Sequence, residues 1–418
     1  MKKRIAVIGG GASGMMATIT AAKLGANVTL YEAKERLGKK ILATGNGKCN
    51  YTNLVQTEEC YRGLIPTFSK EARTKFSVED TIQFFKEIGI EPKYKNGYVY
   101  PNSEQAVSVA DALIMELRTL PVTIEYEKVQ EIKLIKDYYL VTTNKDTKKF
   151  DKVILCCGSF AGMKEKDAKE FLGYEIAKSF GHSIVPIVPA LVQLRCKEKW
   201  FKTIAGVRTE GIITVYANKK QVAKEQGELL FAEYGLSGIP VFQVSRFASE
   251  ALHYGKQITC SIDLLPNFTL EEVEHLLKKR IHTMKERTAE EVLIGLLNHK
   301  LNYILLKECG ISPTEHSMKA FKKESDIKKL ASLYKNLTCE VTEANSFANA
   351  QICAGGVSTK EINPSTMESK LKKGLYMAGE LVDVDGTCGG YNLQWAWSSG
   401  YVAGLHAGIE ERQEYYFD

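Results

Sequence analysis

Three glycines near the amino terminus have the spacing of a dinucleotide-binding turn. Gly9, Gly11 and Gly14 follow the apolar run Arg4–Ile8 and open a helix that we predict from Ala12 to Leu24. In such a turn the first glycine permits the sharp bend, the second lets the backbone approach a pyrophosphate, and the third lets the helix pack on the strand. The helix N-terminus then offers N–H groups and the positive end of its dipole to the phosphates.

An acidic residue extends this pattern. Glu32 closes the second apolar run, 18 residues beyond Gly14, where a carboxylate can bind ribose hydroxyls. The basic, glycine-containing stretch from Ala33 to Lys40 is typical of a loop over cofactor phosphates, and an exposed charged loop is its alternative. Strand, helix and terminal acid together favour a dinucleotide site over a plain glycine turn.

The next segment is rich in small polar residues. Residues 41–53 contain two glycines, three asparagines and two threonines among 13 residues. Such a stretch offers backbone N–H groups and amides to a polar heterocycle, and the N5 and O4 edge of an isoalloxazine would suit it. A loop that merely forms turns is the alternative.

A second glycine-rich segment near the carboxyl end predicts the other half of the same site. A predicted strand ends at Gly379-Glu380, and Glu380 is the candidate to bind a ribityl chain, with Asp383 and Asp385 as rivals. Gly389-Gly390 precede a predicted helix from Tyr391 to Ala407, whose N-terminus would stabilise negative charge on a reduced flavin. Two distant segments at one site favour FAD over NAD as the ligand. The sequence contains no second G-x-G-x-x-G, so NADH or NADPH would visit the flavin without its own Rossmann domain.

Composition limits the class of protein. The chain has 418 residues, 44% of them hydrophobic and 25% charged, which is an ordinary globular composition for two or three domains. No apolar run reaches the roughly 20 residues that span a bilayer, and the first strand is too short for a signal peptide, so we expect a cytoplasmic protein without a membrane partner. The net charge of +6 favours a solvated lysine-rich surface over an anionic partner such as RNA. The ten cysteines form no C-x-x-C pair, the seven histidines have no metal spacing, and we expect free thiols and no metal.

The hydrophobic pattern changes along the chain. The runs Val122 to Ile135 and Tyr138 to Thr143 predict an antiparallel hairpin or meander, and residues 190–265 predict short strands of a small barrel or sandwich. Residues 269–337 predict helices capped at Thr269 and Thr288, with Ser325 as a further cap. The order is therefore a dinucleotide domain, a strand-rich insert, a helical insert, and a return to the dinucleotide domain.

Beyond these patterns, the chain closely resembles the BaiN/RdsA family of NAD(P)/FAD-dependent flavoproteins, also labelled the aminoacetone oxidase family. The resemblance covers nearly the whole length, and its motifs are the turn Gly9 to Gly14, the run Lys40 to Asn50, and the segment from Gly379-Glu380 through Asp385-Gly386 to Ala396. It implies an α/β fold, in which a Rossmann-like FAD-binding domain carries a β-barrel insert that is itself interrupted by a helical subdomain. The expected boundaries are 1–188 and 348–418 for the FAD domain, 189–268 and 338–347 for the barrel, and 269–337 for the helices.

The family resemblance leaves the substrate open. Members are associated with reducing C=C bonds of 3-oxo bile-acid intermediates, with oxidising aminoacetone, and with making dihydrouridine in large-subunit ribosomal RNA. We expect an FAD-dependent oxidoreductase, foremost an NAD(P)H-linked reductase of a polarised C=C bond such as a 3-oxo bile-acid or steroid-like enone. A 23S ribosomal RNA dihydrouridine synthase and a peroxide-producing aminoacetone oxidase are the alternatives.

The candidate site residues fall into two sets. The candidate catalytic residues are Lys48, Cys49 and Cys388, although small residues in tight loops are the favoured explanation of the two cysteines. The candidate FAD-binding residues are Gly9, Gly11, Ala12, Ser13, Gly14, Glu32, Ala33, Arg36, Lys40, Thr44, Gly45, Asn46, Gly47, Val129, Gly158, Gly379, Glu380, Asp385, Gly390, Tyr391, Asn392 and Leu393.

Overall fold

The computed structural model describes residues 2–409, which form two compact units. One unit contains the described residues up to Ile187 together with those from Ile352 onward, and the other is Val188–Gln351. Among residues 2–409, no helix combines the length and the apolar character that crossing a bilayer requires.

The first unit begins with alternating strands and helices. Its strands before the excursion are β1 (Arg4–Ile8), β2 (Asn27–Tyr31), β3 (Thr52–Asn53), β4 (Tyr61–Arg62), β5 (Pro92–Lys95), β6 (Tyr98–Pro101), β7 (Val122–Glu125), β8 (Glu131–Ile135), β9 (Tyr138–Thr142), β10 (Thr147–Phe150) and β11 (Lys152–Leu155). Its helices there are α1 (Ala12–Lys23), α2 (Phe68–Lys75), α3 (Val78–Glu87), α4 (Ala106–Arg118), α5 (Glu165–Lys169) and α6 (Gly173–Ser179).

The second unit contains a barrel and a helical region. The strands from the crossing onward are β12 (Ile184–Ala190), β13 (Leu194–Cys196), β14 (Arg208–Ala217), β15 (Lys220–Ala232), β16 (Gly235–Ser237), β17 (Ile258–Asp263) and β18 (Leu337–Ala344). The helices are α7 (Ile239–His253), α8 (Leu270–Thr283), α9 (Ala289–Val292), α10 (His299–Cys309), α11 (Ser317–Ala320) and α12 (Glu324–Lys335). The chain then returns through β19 (Ile352–Val357), β20 (Leu375–Met377), β21 (Asp385–Gly386) and α13 (Tyr391–Gly408).

A five-stranded parallel sheet forms the centre of the first unit, in the order β20-β11-β1-β2-β7. Its strands are apolar because parallel strands are covered on both faces, and Ile5 to Val7 are completely buried. The register pairs Ile5 with Val28 and with Lys152. The predicted Rossmann-like architecture is confirmed.

One predicted pairing is wrong. Residues Val122–Glu125 do not join the antiparallel meander but pair in parallel with β2, where Val122 faces Val28. The meander itself is the antiparallel sheet β10-β9-β8. The irregular segment 126–130 interrupts the run, and its two halves enter different sheets.

Helices α1 and α13 pack with almost no space between their backbones. Gly400, Gly404 and Gly408 recur every four residues on α13 and therefore lie on one face of it. A Cβ at Gly404 would overlap the carbonyl oxygen of Ala17 and lie 2.9 Å from its Cα. A Cβ at Gly400 would likewise overlap the carbonyl oxygen of Ser13. Glycine thus allows α13 to lie directly on α1.

The second unit confirms the predicted barrel with its helical interruption. The strands close in the order β13-β16-β15-β14-β17-β18, and helices α8 to α12 lie between β17 and β18 in the sequence. Thr269 and Thr288 cap their helices through reciprocal bonds with the glutamate three residues later, as predicted. Ser325 does not cap a helix: α12 already begins at Glu324, because the carboxylate of Asp326 accepts from the N–H of Lys323 at 3.1 Å.

Candidate functional site

The three glycines of the turn between β1 and α1 lie in different surroundings. Gly9 has a φ of +108°, and a Cβ there would lie 2.8 Å from the carbonyl carbon of Cys156. A Cβ at Gly14 would overlap the carbonyl oxygen of Gly9. At Gly11, by contrast, a Cβ would meet no described atom within 4 Å. Two of the glycines are therefore needed for folding, while Gly11 leaves space at the start of the helix.

The first N–H groups of α1 are not capped by a side chain of any described residue, and the first turn of this helix contains no acidic residue. Ala12 and Ser13 begin the helix, and Ser13 is buried. The first N–H groups of α1 therefore combine with a positive dipole end in a way that suits an anionic ligand.

Residues predicted to bind the cofactor follow the carboxyl ends of strands in one sheet. Gly9 follows β1, Glu32 follows β2, Val129 lies in the segment after β7, Gly158 follows β11, and Gly379 follows β20. Ligands of open parallel sheets bind at this edge. The structure thus brings together residues that are as much as 370 positions apart in the sequence (379 − 9).

Glu32 is oriented toward the glycine turn. Its Oε2 accepts a hydrogen bond from Gly10 N at 2.8 Å, and its Oε1 accepts from Lys34 N at 2.8 Å. The neighbouring Ala33 is exposed, and the Arg36 guanidinium donates to Asp111 Oδ1 at 2.7 Å. The carboxylate of Glu32 is therefore held by backbone donors beside the turn, whereas Arg36 is already paired with an acid.

Glu380 connects the two glycine-rich ends of the chain. One of its carboxylate oxygens pairs with Lys40 Nζ, and the other accepts from Ser159 Oγ at 2.6 Å and from Cys353 N at 2.9 Å. The rival Asp383 is buried and accepts from Leu64 N at 2.8 Å. Asp385 is also buried, in the short strand β21. Glu380 thus lies beside Lys40, another predicted cofactor residue.

The polar segment after Lys40 forms a sharply turned, exposed loop. Gly45, Asn46 and Gly47 have positive φ values and exposed side-chain positions. Thr44 Oγ1 closes the turn by donating to Ile41 O at 2.6 Å. Consecutive left-handed residues bend the backbone into a concave shape, which is the kind of surface that can follow a ligand edge.

Helix α13 joins this loop region to the carboxyl-terminal motif. Asn53 Nδ2 donates to Gly389 O at 2.9 Å, and Thr52 Oγ1 donates to Gln394 Oε1 at 2.6 Å. Trp397 Nε1 donates to the carbonyl oxygen of Tyr51 at 2.9 Å. These bonds hold the two predicted flavin-facing segments against one another.

The start of α13 is also shaped by glycine. A Cβ at Gly390, whose φ is +94°, would lie 2.7 Å from Thr52 O. Asn392 exchanges two hydrogen bonds with the backbone of Gly386, at 2.8 and 2.9 Å. The ring of Tyr391 packs edge-on against Tyr61, and Leu393 is half-buried. Asn392 and Tyr391 thereby fix the turn that ends at the helix N-terminus.

The candidate catalytic residues lie in different environments. Lys48 is exposed, with Nζ 3.8 Å from Glu104 Oε1. Cys49 is completely buried, and burial raises the pKa of its thiol to about 12. Cys388 is half-buried, and burial raises its pKa as well. The placement of Cys49 in the core argues against it as a proton donor, whereas Cys388 remains accessible.

Sequence reasoning missed two tyrosines beside Cys388. Tyr98 and Tyr100 lie on one face of β6 with their rings stacked, 6.4 Å between centroids, and both are half-buried. A Cβ at Gly389 would lie 3.0 Å from the ring of Tyr98. Burial raises the pKa of both phenols, and the neighbouring Cys388 raises it to a lesser extent, so both phenols stay protonated. The sequence does show these two tyrosines on either side of the buried Val99, an alternation that predicts a strand with both rings on one face.

Several features of the first unit fit FAD. Gly158, like Gly11, leaves open space where a Cβ would stand. The hydroxyl of the buried Tyr174 has no hydrogen-bond partner among the described residues, and burial first, then the neighbouring Cys353 and Glu380, raises its pKa. The N-terminus of α13 at Gly390 has no described side-chain cap and no acid in its first turn. Two uncapped helix N-termini suit a ligand with a pyrophosphate at one point and a flavin that gains negative charge at another.

Comparison with known proteins places the chain in a family. A family profile described as the HI0933-like protein Rossmann domain matches residues 3–406. The 3-dehydro-bile acid delta(4,6)-reductase of Clostridium scindens is 40% identical over 407 residues, which cover 97% of this chain and 98% of that protein. The ribosomal RNA dihydrouridine synthase of Haemophilus influenzae is 30% identical over 408 residues, covering 96% and 97%. The synthase of the same name from Escherichia coli is 30% identical over 402 residues, covering 95% and 96%.

These alignments run through both units and both glycine-rich ends. They confirm the resemblance to the BaiN/RdsA family that the motifs predicted. The chain belongs to the HI0933-like Rossmann family of flavoprotein oxidoreductases.

Proposed function

We propose that this protein is an FAD-dependent reductase of a polarised C=C bond, with a 3-oxo bile-acid or steroid-like enone as the substrate class. The observation that carries the proposal is the 40% identity, over 97% of this chain, to a protein named 3-dehydro-bile acid delta(4,6)-reductase. A relative at 30% identity is named as a synthase acting on ribosomal RNA, so the more similar relative favours the small-molecule substrate.

The cofactor-binding roles divide between the two ends of the chain. Gly11 and the N-terminus of α1 would hold the pyrophosphate, and Glu32 would bind the ribose beside the adenine. Glu380 would bind the ribityl chain, and the N-terminus of α13 at Gly390 would face the flavin ring. Bound FAD would supply hydride transfer, which no amino-acid side chain provides.

The chain's own contribution to the chemistry would be a proton. Reduction of an enone leaves a carbon that must be protonated, and an acid within hydrogen-bond reach accelerates this step. Tyr98 and Tyr100 are protonated and partly exposed, and they lie beside Cys388 at the turn that precedes α13. We assign the proton to this group, with Tyr98 as the first candidate.

The electron donor would be NADH or NADPH. The sequence contains one G-x-G-x-x-G motif, which the FAD would occupy. The nicotinamide would therefore approach the flavin from solvent, react, and leave before the enone binds. Such an exchange of two ligands at one face predicts ping-pong kinetics.

Anaerobic mixing tests the proposal. The flavin-loaded protein is mixed with NADH or NADPH, and loss of the visible flavin absorbance is followed; the reduced protein is then mixed with a 3-oxo-4-ene bile acid. We expect bleaching by one nicotinamide, recovery of the absorbance with the enone, and a product heavier by two hydrogens. Failure of both nicotinamides to bleach the flavin would refute the reductase assignment, and the Tyr98→Phe variant separates flavin reduction from protonation.

A second candidate is a 23S ribosomal RNA dihydrouridine synthase. Two relatives named as such synthases align over at least 95% of this chain, and the net charge is +6. Against it, these two relatives are 30% identical to this chain, whereas the relative named as a bile-acid reductase is 40% identical. Dihydrouridine lost from ribosomal RNA on gene deletion, together with steeply salt-dependent RNA binding, would favour this candidate.

An aminoacetone oxidase is the third candidate function, and peroxide production with the amine alone would identify it.

A further inference from the structure

Two thiols of the second unit are in direct contact. Cys196 on β13 and Cys339 on β18 have their sulfur atoms 3.8 Å apart. Cys339 is buried, whereas Cys196 is partly exposed to solvent. All ten cysteines are free thiols in this structure. Neither residue belongs to the proposed cofactor or proton-donating groups.

A β-bulge produces this contact. Arg195 pairs with Glu343, but the next residue, Cys196, pairs with Val341, so β18 carries one extra residue at this point. Bulges of this kind bend the strand and re-aim its side chains. Cys339 is two positions from the partner of Cys196, a diagonal distance at which short side chains ordinarily do not meet. The local distortion therefore brings two small side chains together.

The two sulfurs differ in chemical character. Hydrogen bonds with Cys196 and Cys260, followed by burial, raise the pKa of Cys339 well above its usual value. Cys260 lies directly opposite Cys339 across the β17–β18 pairing. Cys339 is therefore held as a neutral thiol, and the solvent-accessible Cys196 is the sulfur that an oxidant reaches first.

We propose that Cys196 and Cys339 are an oxidative modification site, at which hydrogen peroxide converts the two thiols into a disulfide. The sulfur of Cys196 attacks one peroxide oxygen, the O–O bond breaks, one water leaves, and Cys196 becomes a sulfenic acid. Cys339 then loses its proton and attacks the Cys196 sulfur, which releases a second water as the S–S bond forms. Two thiols and one peroxide thus give one disulfide and two waters, and the peroxide is the oxidant.

The geometry allows this bond at small cost in movement. The sulfurs must approach from 3.8 Å to about 2.0 Å, which side-chain rotation with a slight shift of the irregular strand can provide. The bond would link the first and the last strands of the barrel across 143 positions of sequence, a span that includes α8 to α12. Closing so long a loop restricts the unfolded chain, so the oxidised protein should unfold at a temperature higher by roughly 5–10 °C.

Peptide mapping of the flavin-loaded, full-length protein tests the proposal. The protein is fully reduced, freed of reductant without air, treated with stoichiometric hydrogen peroxide, alkylated, digested without reductant and analysed by mass spectrometry. We expect a Cys196–Cys339 cross-linked peptide that disappears after reduction, with the change in unfolding temperature. Because Cys339 is held neutral, the cross-link should form more slowly than the sulfenic acid at Cys196.

Variants provide the controls. Cys196→Ala should abolish the cross-link and the rise in unfolding temperature, and Cys309→Ala, which changes another half-buried thiol, should preserve both. Stable sulfenic or sulfinic acid at Cys196 without a disulfide would overturn the proposal, as would a cross-link between other cysteines. Mapping of the unaltered protein decides the matter even if a variant fails to fold, and the reaction requires no turnover of the flavin.

Discussion

Replacing Gly404 with alanine adds one methyl group where the backbone of α1 leaves no room for it. The new Cβ would overlap Ala17 O and lie 2.9 Å from Ala17 Cα. At Gly408, one helical repeat further along the same face, the nearest atoms would be 3.1 Å away, and one of them is the end of the Leu24 side chain. Gly404→Ala and Gly408→Ala add the same methyl group, so a difference in their effects on stability reports the space between α1 and α13 at each position.

Two opposing effects set the magnitude for Gly404→Ala. Alanine favours an interior helical position over glycine by about 1 kcal/mol. Overpacking of a close contact costs about 1–3 kcal/mol, and the upper end applies because the opposing atoms are backbone. The net expectation is a loss of about 1–2 kcal/mol for Gly404→Ala, or a fall in Tm of roughly 3–6 °C. Gly408→Ala should change the free energy of unfolding by less than about 0.5 kcal/mol.

Thermal unfolding of the two variants and the parent, in the same buffer with excess FAD, provides the comparison. Gly400→Ala adds a second test, because its Cβ would press on Ser13 O at the start of α1 and should also reduce the amount of FAD retained. Equal stability of Gly404→Ala and the parent, or a larger loss for Gly408→Ala, would refute the idea that glycine sets the distance between these helices.

Four further outcomes follow from the site. Gly11→Ala should cost the flavin-free protein no more than about 1 kcal/mol, because the new Cβ has open space and only the poorer N-capping by alanine opposes it, yet it should weaken FAD binding by about tenfold or more; unchanged affinity would remove Gly11 from the site. Glu380→Gln, which loses the ionic partner of Lys40, should weaken FAD binding by roughly tenfold in a fluorescence titration, and equal binding would contradict its role. The folded protein keeps the Cys49 thiol neutral up to about pH 12, whereas the unfolded chain ionises it near pH 9, so the free energy of unfolding falls as the pH rises above 9. In urea unfolding between these two pH values, Cys49→Ala should reduce that fall by about 1.4 kcal/mol per pH unit. An identical pH dependence in the variant and the parent would show that Cys49 does not contribute. Tyr98→Phe should slow substrate reduction by about 10- to 100-fold without changing flavin reduction by NADH or NADPH, and a normal turnover rate would exclude Tyr98 as the donor.

Local patterns were sufficient for much of the fold. The turn Gly9 to Gly14 predicted the start of a parallel sheet, because a strand, a sharp turn and a helix are encoded by neighbouring residues. The caps at Thr269 and Thr288 were predictable for the same reason, since each hydrogen bond spans three positions. The assignment of residues to FAD stays a prediction, although the structure brings Lys40 beside Glu380 and Asn53 beside Gly389.

Contacts between distant segments could not be predicted in this way. The spacing of Gly400, Gly404 and Gly408 is visible in the sequence, but nothing local identifies α1 as the partner of that face. The contact of Cys196 with Cys339 depends on a shift of register, which residue types do not specify. Tyr98 was overlooked because its importance comes from Gly389 and Cys388, which lie near the other end of the chain.

Reoxidation of the reduced protein by an enone, without oxygen, tests the proposed reductase activity most directly. The bound flavin is reduced photochemically, so that no nicotinamide is needed, and one equivalent of a 3-oxo-4-ene bile acid is added. Full recovery of the flavin absorbance, with one equivalent of a product heavier by two hydrogens, is the predicted result. A flavin that stays reduced with this enone, and that is instead reoxidised by a uridine-containing ribosomal RNA fragment, would contradict it.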